Sequence, residues 1–358
     1  METRPPLQLC RLAPEMLDAP LPYDLFNSKG ALLARKGARL QGDVRTLMSQ
    51  SLYRPCDYED GEFQLRLKQL EDLVAAYGCL VADWHNRAED VLEVRRIAGD
   101  LVHLCGSHSD LCIATVSHLT GGPQGIRHAF AAAVVAVLLG EALGWNLRRQ
   151  HTLARAALTM DLSLLRGGEP AGGNIRHPEL SAAMLLESTC VDLDWFAAVD
   201  QHHENLDGSG YPVGLKGADI CPEARVLRVA DTWCDMVLVP PGKARKTPRD
   251  ALQEMRRYVG NRFDPRAYHA LKNLMGPYPP GTFVRLANRE TAIVMRWDRQ
   301  GSLPRYATAV LSPNGEAARE FKVRPLQERD FLIRNYTYLD MAQMARFSIS
   351  RIWAMGAV

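Results

Sequence analysis

Two adjacent imidazoles, His202 and His203, end an apolar helical run that carries Trp195, Phe196 and Val199. The chain then turns at once through Glu204-Asn205-Leu206-Asp207-Gly208-Ser209-Gly210-Tyr211-Pro212. A neutral imidazole offers a ring-nitrogen lone pair to a divalent ion, so neighbouring histidines make a metal-binding edge. The following loop would set backbone amides, a tyrosine hydroxyl and a rigid proline beside that ion. A hydrolytic centre needs more than one edge. Several histidine and carboxylate ligands must arrive from different helices, with one carboxylate able to bridge two ions and room for a hydroxide. The loop also has a purely structural reading, since Gly208 and Gly210 suit a turn whose backbone angles glycine adopts at little cost.

Helices must do the positioning. Residues 120–276 read as helical throughout: His128 opens a helix running through Val134, Val137, Leu138 and Leu143 to Gly144, and another covers 152–165. A third begins near Pro178 and passes Leu185 and Leu186; further helices lead to His202 and cover 225–236 and 250–259. Ahead of them, Leu70, Leu73, Val74, Tyr77, Leu80 and Val81 recur at three- and four-residue steps in a helical connector over 61–119. Such a stripe serves equally as a homodimer contact, a signal relay or ordinary core packing. His85, His103, His108 and His118 in this connector form no ligand-like cluster and read as surface or cap residues, as do His151 and His269.

At the two ends the period changes from helical to alternating. Residues 24–33 read as strand, turn and strand within a small β N-terminal module over 1–60, either a sensor or docking piece or a structural lid. Strands are expected at 283–286, 291–295, 306–311 and 321–323, with turns at Asn288-Arg289 and Pro313-Asn314-Gly315. They define a small β C-terminal domain over 277–340, followed by a weakly amphipathic tail over 341–358. The expected fold class is mainly α, one all-helical domain between two small β modules.

Composition narrows the function. The 358 residues carry 43 basic and 41 acidic side chains, a formal charge of +2, which argues against general nucleic-acid or membrane-surface binding. The eight cysteines are scattered without a Cys-x-x-Cys pair, as reduced thiols in a cytoplasmic protein would be. No apolar run reaches the roughly 18–20 residues of a membrane span, and the N-terminus lacks a signal-peptide core.

The 202–212 run resembles the signature of the HD-GYP family, bacterial metal-dependent phosphohydrolases that open cyclic-di-GMP. The resemblance covers roughly residues 120–276 and implies an HD-type helical domain there. It implies a ligand set of His128, Asp161, His177, His202, His203 and Asp231, with Asp161 the bridging, catalytic carboxylate. It further implies one or two divalent ions, iron or manganese, and cyclic-di-GMP or a related nucleotide as ligand. For the loop residues Asp207, Gly208, Gly210, Tyr211 and Pro212 it implies contact with diguanylate cyclase domains.

The chain departs from that pattern at informative places. Met160 stands where the family's name-giving histidine belongs, and Leu164 replaces its phosphate-binding lysine. Cys234 occupies the place of a second acidic residue, Gln124 that of a glutamate serving a third ion, and residues 240–246 alter a basic, tyrosine-containing stretch. By analogy one ion keeps all of Asp161, His177, His202 and His203, while the other has lost a nitrogen. A thioether is a poor ligand for hard Mn(II) or Fe(II), and losing a ligand should cost at least the roughly 10–100-fold in affinity of a disturbed outer partner. The expectation is a degenerate member that acts through metal, nucleotide or partner binding. A working phosphodiesterase and a metal-free interaction scaffold are the alternatives.

Overall fold

The computed structural model describes residues 7–10, 20–21, 24–27, 31–39, 52–55, 61–118, 122–167, 174–188, 192–238, 246–296, 304–339 and 352. The turn at 28–30, the altered stretch at 240–245 and nearly all of the tail lie outside them. Two compact units divide the chain: one holds the described residues up to Leu67, Thr282–Arg296 and those from Pro304 onward, the other Lys68–Gly281. The fold is mainly α with small sheets from both ends of the chain, as the alternation and periodicity imply.

The first unit contains two antiparallel sheets. Strands β1 (Leu7–Cys10), β2 (Leu25–Asn27), β3 (Leu32–Ala34) and β4 (Leu52–Pro55) are ordered β1-β4-β2-β3. Strands β5 (Phe283–Leu286), β6 (Thr291–Arg296), β7 (Tyr306–Leu311), β8 (Ala317–Pro325) and β9 (Ile333–Tyr336) are ordered β8-β7-β6-β5-β9. The β5–β6 turn places Arg289 at φ 69°, and the β7–β8 turn places Gly315 at φ 82°. Strands β1, β4 and β9 are additions to the sequence reading. They are short, and their pairing partners are remote in sequence, so local alternation carries little signal for them.

The helical unit is built around one apolar rod. After α1 (Gly61–Ala82), α2 (Ala88–Ser107) and α3 (Ser109–His118), helix α4 (Gln124–Ala142) starts behind Pro123 and ends before Gly144, whose φ of 73° suits a glycine stop. Every residue of α4 from Ala129 to Gly140 is buried. In length and hydropathy α4 would qualify as a membrane span, but 78% of that window is buried inside the protein. A helix apolar all round is a core helix when other helices cover it, and here α2, α5 (Leu147–Thr159), α9 (Pro222–Val237) and α11 (Pro265–Met275) do so. His128 lies one turn inside α4 rather than opening it.

A second departure shapes the site. The helix expected over 152–165 is two helices, α5 and α6 (Leu162–Gly167), broken at Met160-Asp161. The break is tied to α7 (His177–Leu186): the Ser163 amide donates to Ser181 Oγ at 3.1 Å, and Ser163 Oγ donates to the His177 carbonyl at 3.1 Å. Helix α8 (Leu193–Asp200) is capped by Asp192, which accepts from the Trp195 amide. It docks on α5 through the buried Trp195, whose indole donates to Thr159 Oγ1 at 2.9 Å. Helix α10 (Pro248–Arg256) precedes α11. Cys79, Cys105, Cys112, Cys221 and Cys234 are free thiols.

Candidate metal centre

The candidate side chains reach the site from several different elements. Asp161 sits in the α5–α6 break, His177 is the first residue of α7, and His202 and His203 follow the end of α8. His128 comes from α4 and Asp231 from α9. The structure gathers them into two adjoining groups. In one, His177, His202 and His203 present ring nitrogens within 4.8 Å of one another, with Asp161 Oδ1 3.3 Å from His177 Nε2 and 3.9 Å from His202 Nε2. In the other, His128 Nε2 lies 2.8 Å from Asp231 Oδ1, and His128 Nδ1 lies 3.6 Å from Asp235 Oδ1.

Hydrogen bonding decides which nitrogens are free. His177 Nδ1 donates to the Asn174 carbonyl at 2.8 Å, and His202 Nδ1 donates to the Val199 carbonyl at 2.6 Å. A carbonyl only accepts, so both rings carry their proton on Nδ1 and leave Nε2 as a lone pair. Those two Nε2 atoms face each other across 3.2 Å. Two lone pairs at that distance repel unless a cation sits beside them, and a backbone carbonyl on the far nitrogen is how metal-binding histidines are commonly oriented.

Electrostatics divide along the same line. Burial, with His177 adding to it, pushes His202 down to about 4, and burial together with His202 takes His203 down to about 2. His177 is lowered by burial as well. All three are therefore neutral at physiological pH, the state in which an imidazole can ligate a metal. Burial and the nearby Asp231 push the Asp161 carboxyl up to about 7. Burial opposes charge on His128 too, but its bond to Asp231 and the proximity of Asp235 raise it to about 9. Burial likewise opposes charge on Asp231, yet the His128 hydrogen bond holds its carboxyl below the usual range. Asp231 Oδ2 is buried without a hydrogen-bond partner among the described residues. Facing imidazole lone pairs with the Asp161 carboxylate next to them, and an orphaned carboxylate oxygen on Asp231, fit a divalent cation with nitrogen and oxygen ligands.

Met160 is fully buried, and Leu164 is apolar and nearly buried. Cys234 points into the core, its thiol raised by burial. The second acid beside His128 is Asp235, one residue beyond Cys234 along α9, with a side chain 64% exposed. Sequence reasoning passed over Asp235 because an exposed acid on a helix ordinarily reads as part of a solvated face. Its spacing of four from Asp231, one turn on the same face, was the available signal.

The loop after His203 is shaped by a residue that the sequence reading also left aside. Glu204, 2% exposed, accepts from the amides of Val213, Gly214 and Leu215 at 2.8–3.1 Å. This staple folds the loop so that Tyr211 stacks on His203, ring centroids 4.7 Å apart. Gly208 has φ 81°, the left-handed conformation expected for it. Gly210 is needed for a different reason: a Cβ there would lie 2.6 Å from the His203 carbonyl oxygen and clash with the backbone of Glu204 and Asn205. Asp207 and Ser209 stay exposed, with the Asp207 carboxylate accepting the Ser209 amide at 2.9 Å.

Comparison with known proteins finds an HD domain in this part of the chain. An HD domain family model matches residues 175–267, a span holding His177, His202, His203, Asp231 and Asp235 but not His128 or Asp161. The cyclic di-GMP phosphodiesterase PA4108 of Pseudomonas aeruginosa is 33% identical over 120 residues, covering 34% of this chain and 29% of that protein. The cyclic di-GMP phosphodiesterase response regulator RpfG of Xanthomonas campestris is 33% identical over 150 residues, covering 38% of this chain and 40% of that protein. The chain thus spans less than half the length of these curated relatives. Among solved structures, Bd1817, a HDG"Y"P protein from Bdellovibrio bacteriovorus, superimposes with a TM-score of 0.51 at 16% identity, covering 75% of this chain and 98% of that one, and so shares the fold. The family match shows an HD domain over residues 175–267, and the named relatives and the shared fold make this chain similar to HD-GYP proteins.

Proposed function

We propose that this protein is a cyclic-di-GMP signalling protein whose HD domain holds one divalent cation, iron(II) or manganese(II), and acts by binding a cyclic dinucleotide or a partner rather than by rapid turnover. One observation carries the reading: His177 and His202 turn their Nε2 lone pairs toward each other beside Asp161, with both Nδ1 protons committed to backbone carbonyls. When bound, a divalent ion acidifies its water and neutralises phosphodiester oxygens. Asp161, with its carboxyl near neutrality, would hold or release a proton next to that ion. Leu164 offers no hydrogen bond to a phosphoryl oxygen, and Met160 no nitrogen. Each electrostatic contact of that kind is worth roughly 10²–10³ in rate, so losing two leaves little turnover. The names of PA4108 and RpfG support the cyclic dinucleotide as ligand. The same reading gives a cytoplasmic protein, with a diguanylate cyclase domain met by the exposed loop tip at Asp207 and Ser209, and a homodimer along the helical connector.

A working phosphodiesterase is the second reading, and Asp235 favours it. With His128 and Asp231 it makes a second candidate ligand group that does not need the lost histidine.

Anaerobically purified protein reconstituted with Fe(II) or Mn(II) separates the readings through metal content, cyclic-di-GMP binding and cyclic-di-GMP hydrolysis, with His203→Ala as control. Retained metal and bound nucleotide, with no more hydrolysis than the control, is the expected result. Hydrolysis that disappears in His203→Ala would install the enzyme reading. A protein that retains no metal would be an interaction scaffold.

A further inference from the structure

His203 differs from its two neighbours in what holds it. Its Nδ1 faces not a carbonyl but Arg228, whose Nη1 lies 3.2 Å away. A guanidinium only donates, so Nδ1 of His203 is the acceptor and the ring proton sits on Nε2. The tautomer is the reverse of that in His177 and His202.

Arg228 is not a loose surface side chain, being 16% exposed. Its Nε donates to Asn205 Oδ1 at 3.2 Å, and Nη1 also reaches Thr232 Oγ1 at 3.2 Å. Nη1 further lies 4.0 Å from Asp231 Oδ2, the carboxylate oxygen that lacks a hydrogen bond. The guanidinium therefore places a fixed positive charge between one imidazole and one carboxylate of the candidate centre.

Either way of using His203 as a ligand collides with this arrangement. Ligation through Nδ1 requires the lone pair that Arg228 now engages. Ligation through Nε2 requires the proton to move to Nδ1, which sets an N–H against the guanidinium N–H. We propose that Arg228 is a built-in competitor of the metal at His203 and Asp231, so that a cation gains these two ligands only when the guanidinium lets go. The proposal rests on the metal-centre reading given above. It deepens it by separating His177, His202 and Asp161, which are ready for a cation, from His203 and Asp231, which are held by the chain's own cation. Like-charge repulsion acts in the same direction, since a divalent ion there must approach a permanent guanidinium in a largely buried setting.

The test is Mn(II) titration of the full-length metal-free protein and of Arg228→Met, which keeps length and bulk but removes donor and charge. Binding tighter by about 10-fold or more in the variant is expected, the scale on which outer partners tune a metal site. Equal or weaker binding in the variant overturns the role of Arg228 while leaving the metal centre standing. Absence of Mn(II) binding in both proteins overturns the metal centre together with this proposal. A second measurement needs no substitution at Arg228: long-range 1H–15N spectra of the metal-free wild type should show His203 protonated on Nε2 and His177 and His202 on Nδ1. Finding His203 protonated on Nδ1 overturns the proposal.

Discussion

His177 and His202 present Nε2 to Nε2 at 3.2 Å, and neither ring can turn away without giving up a hydrogen bond from Nδ1 to a backbone carbonyl. Helix α7 and the turn after α8 thus hold two lone pairs in opposition in the metal-free protein. A cation would convert that opposition into two coordinate bonds. His177→Ala or His202→Ala should lower Mn(II) affinity by at least about 100-fold, more than the loss of an outer partner produces. Equilibrium dialysis with elemental analysis measures it, and unchanged retention in both variants would remove the pair from the ligand set.

Metal uptake should also release a proton from a known place. Asp161 has its carboxyl pushed up to about 7, whereas His202 and His203 lie at about 4 and about 2 and are already neutral. Binding requires the ionised carboxylate. Near pH 6, on the order of one proton should therefore leave on binding, falling toward none near pH 8, with affinity rising across that interval. Calorimetry in buffers of different ionisation enthalpy reads the proton count. An unchanged count in Asp161→Asn would assign the proton to another group.

Two histidines pull the stability of the metal-free protein in opposite directions. His128 is raised to about 9 in the fold, so its bond to Asp231 stabilises fully below the ordinary histidine pKa of about 6.5 and is lost as pH climbs through 9. His202 is depressed to about 4, so the unfolded chain takes up a proton near 6.5 that the fold refuses. Stability therefore falls as pH drops from about 6.5 toward 4. Urea midpoints across pH should show both limbs, and His128→Gln should flatten the alkaline one alone. An alkaline limb that survives this substitution would contradict the assignment.

The glycines of the loop should not be equivalent. Gly210→Ala sets a Cβ against the backbone of His203, Glu204 and Asn205, which cannot yield without moving the His203 ring. A cost of about 1–3 kcal/mol, the range for overpacking, is expected together with weakened metal binding. Gly208→Ala meets only the flexible Lys216 side chain and should cost about 1 kcal/mol, the penalty of a left-handed backbone, with metal binding kept. Thermal unfolding and Mn(II) titration of the two variants check the contrast, and equal losses would refute it.

Much of this was written into the chain locally. Three- and four-residue apolar spacing marks α1, alternation marks β5 to β8, and the contiguous 202–212 run carries its own chemistry. These features rest on neighbours a few residues apart, so they are legible without a fold. Tertiary structure alone decided the rest. The break at Met160-Asp161 is followed by Ser163, whose amide is bonded to Ser181 of another helix. The roles of Glu204, Arg228 and Asp235 depend on which backbone amides, imidazole and neighbouring helix each one meets. A sequence names histidines but not their tautomers, because the partner that fixes each proton arrives through folding. At this site the fold supplies carbonyls to His177 and His202 and a guanidinium to His203.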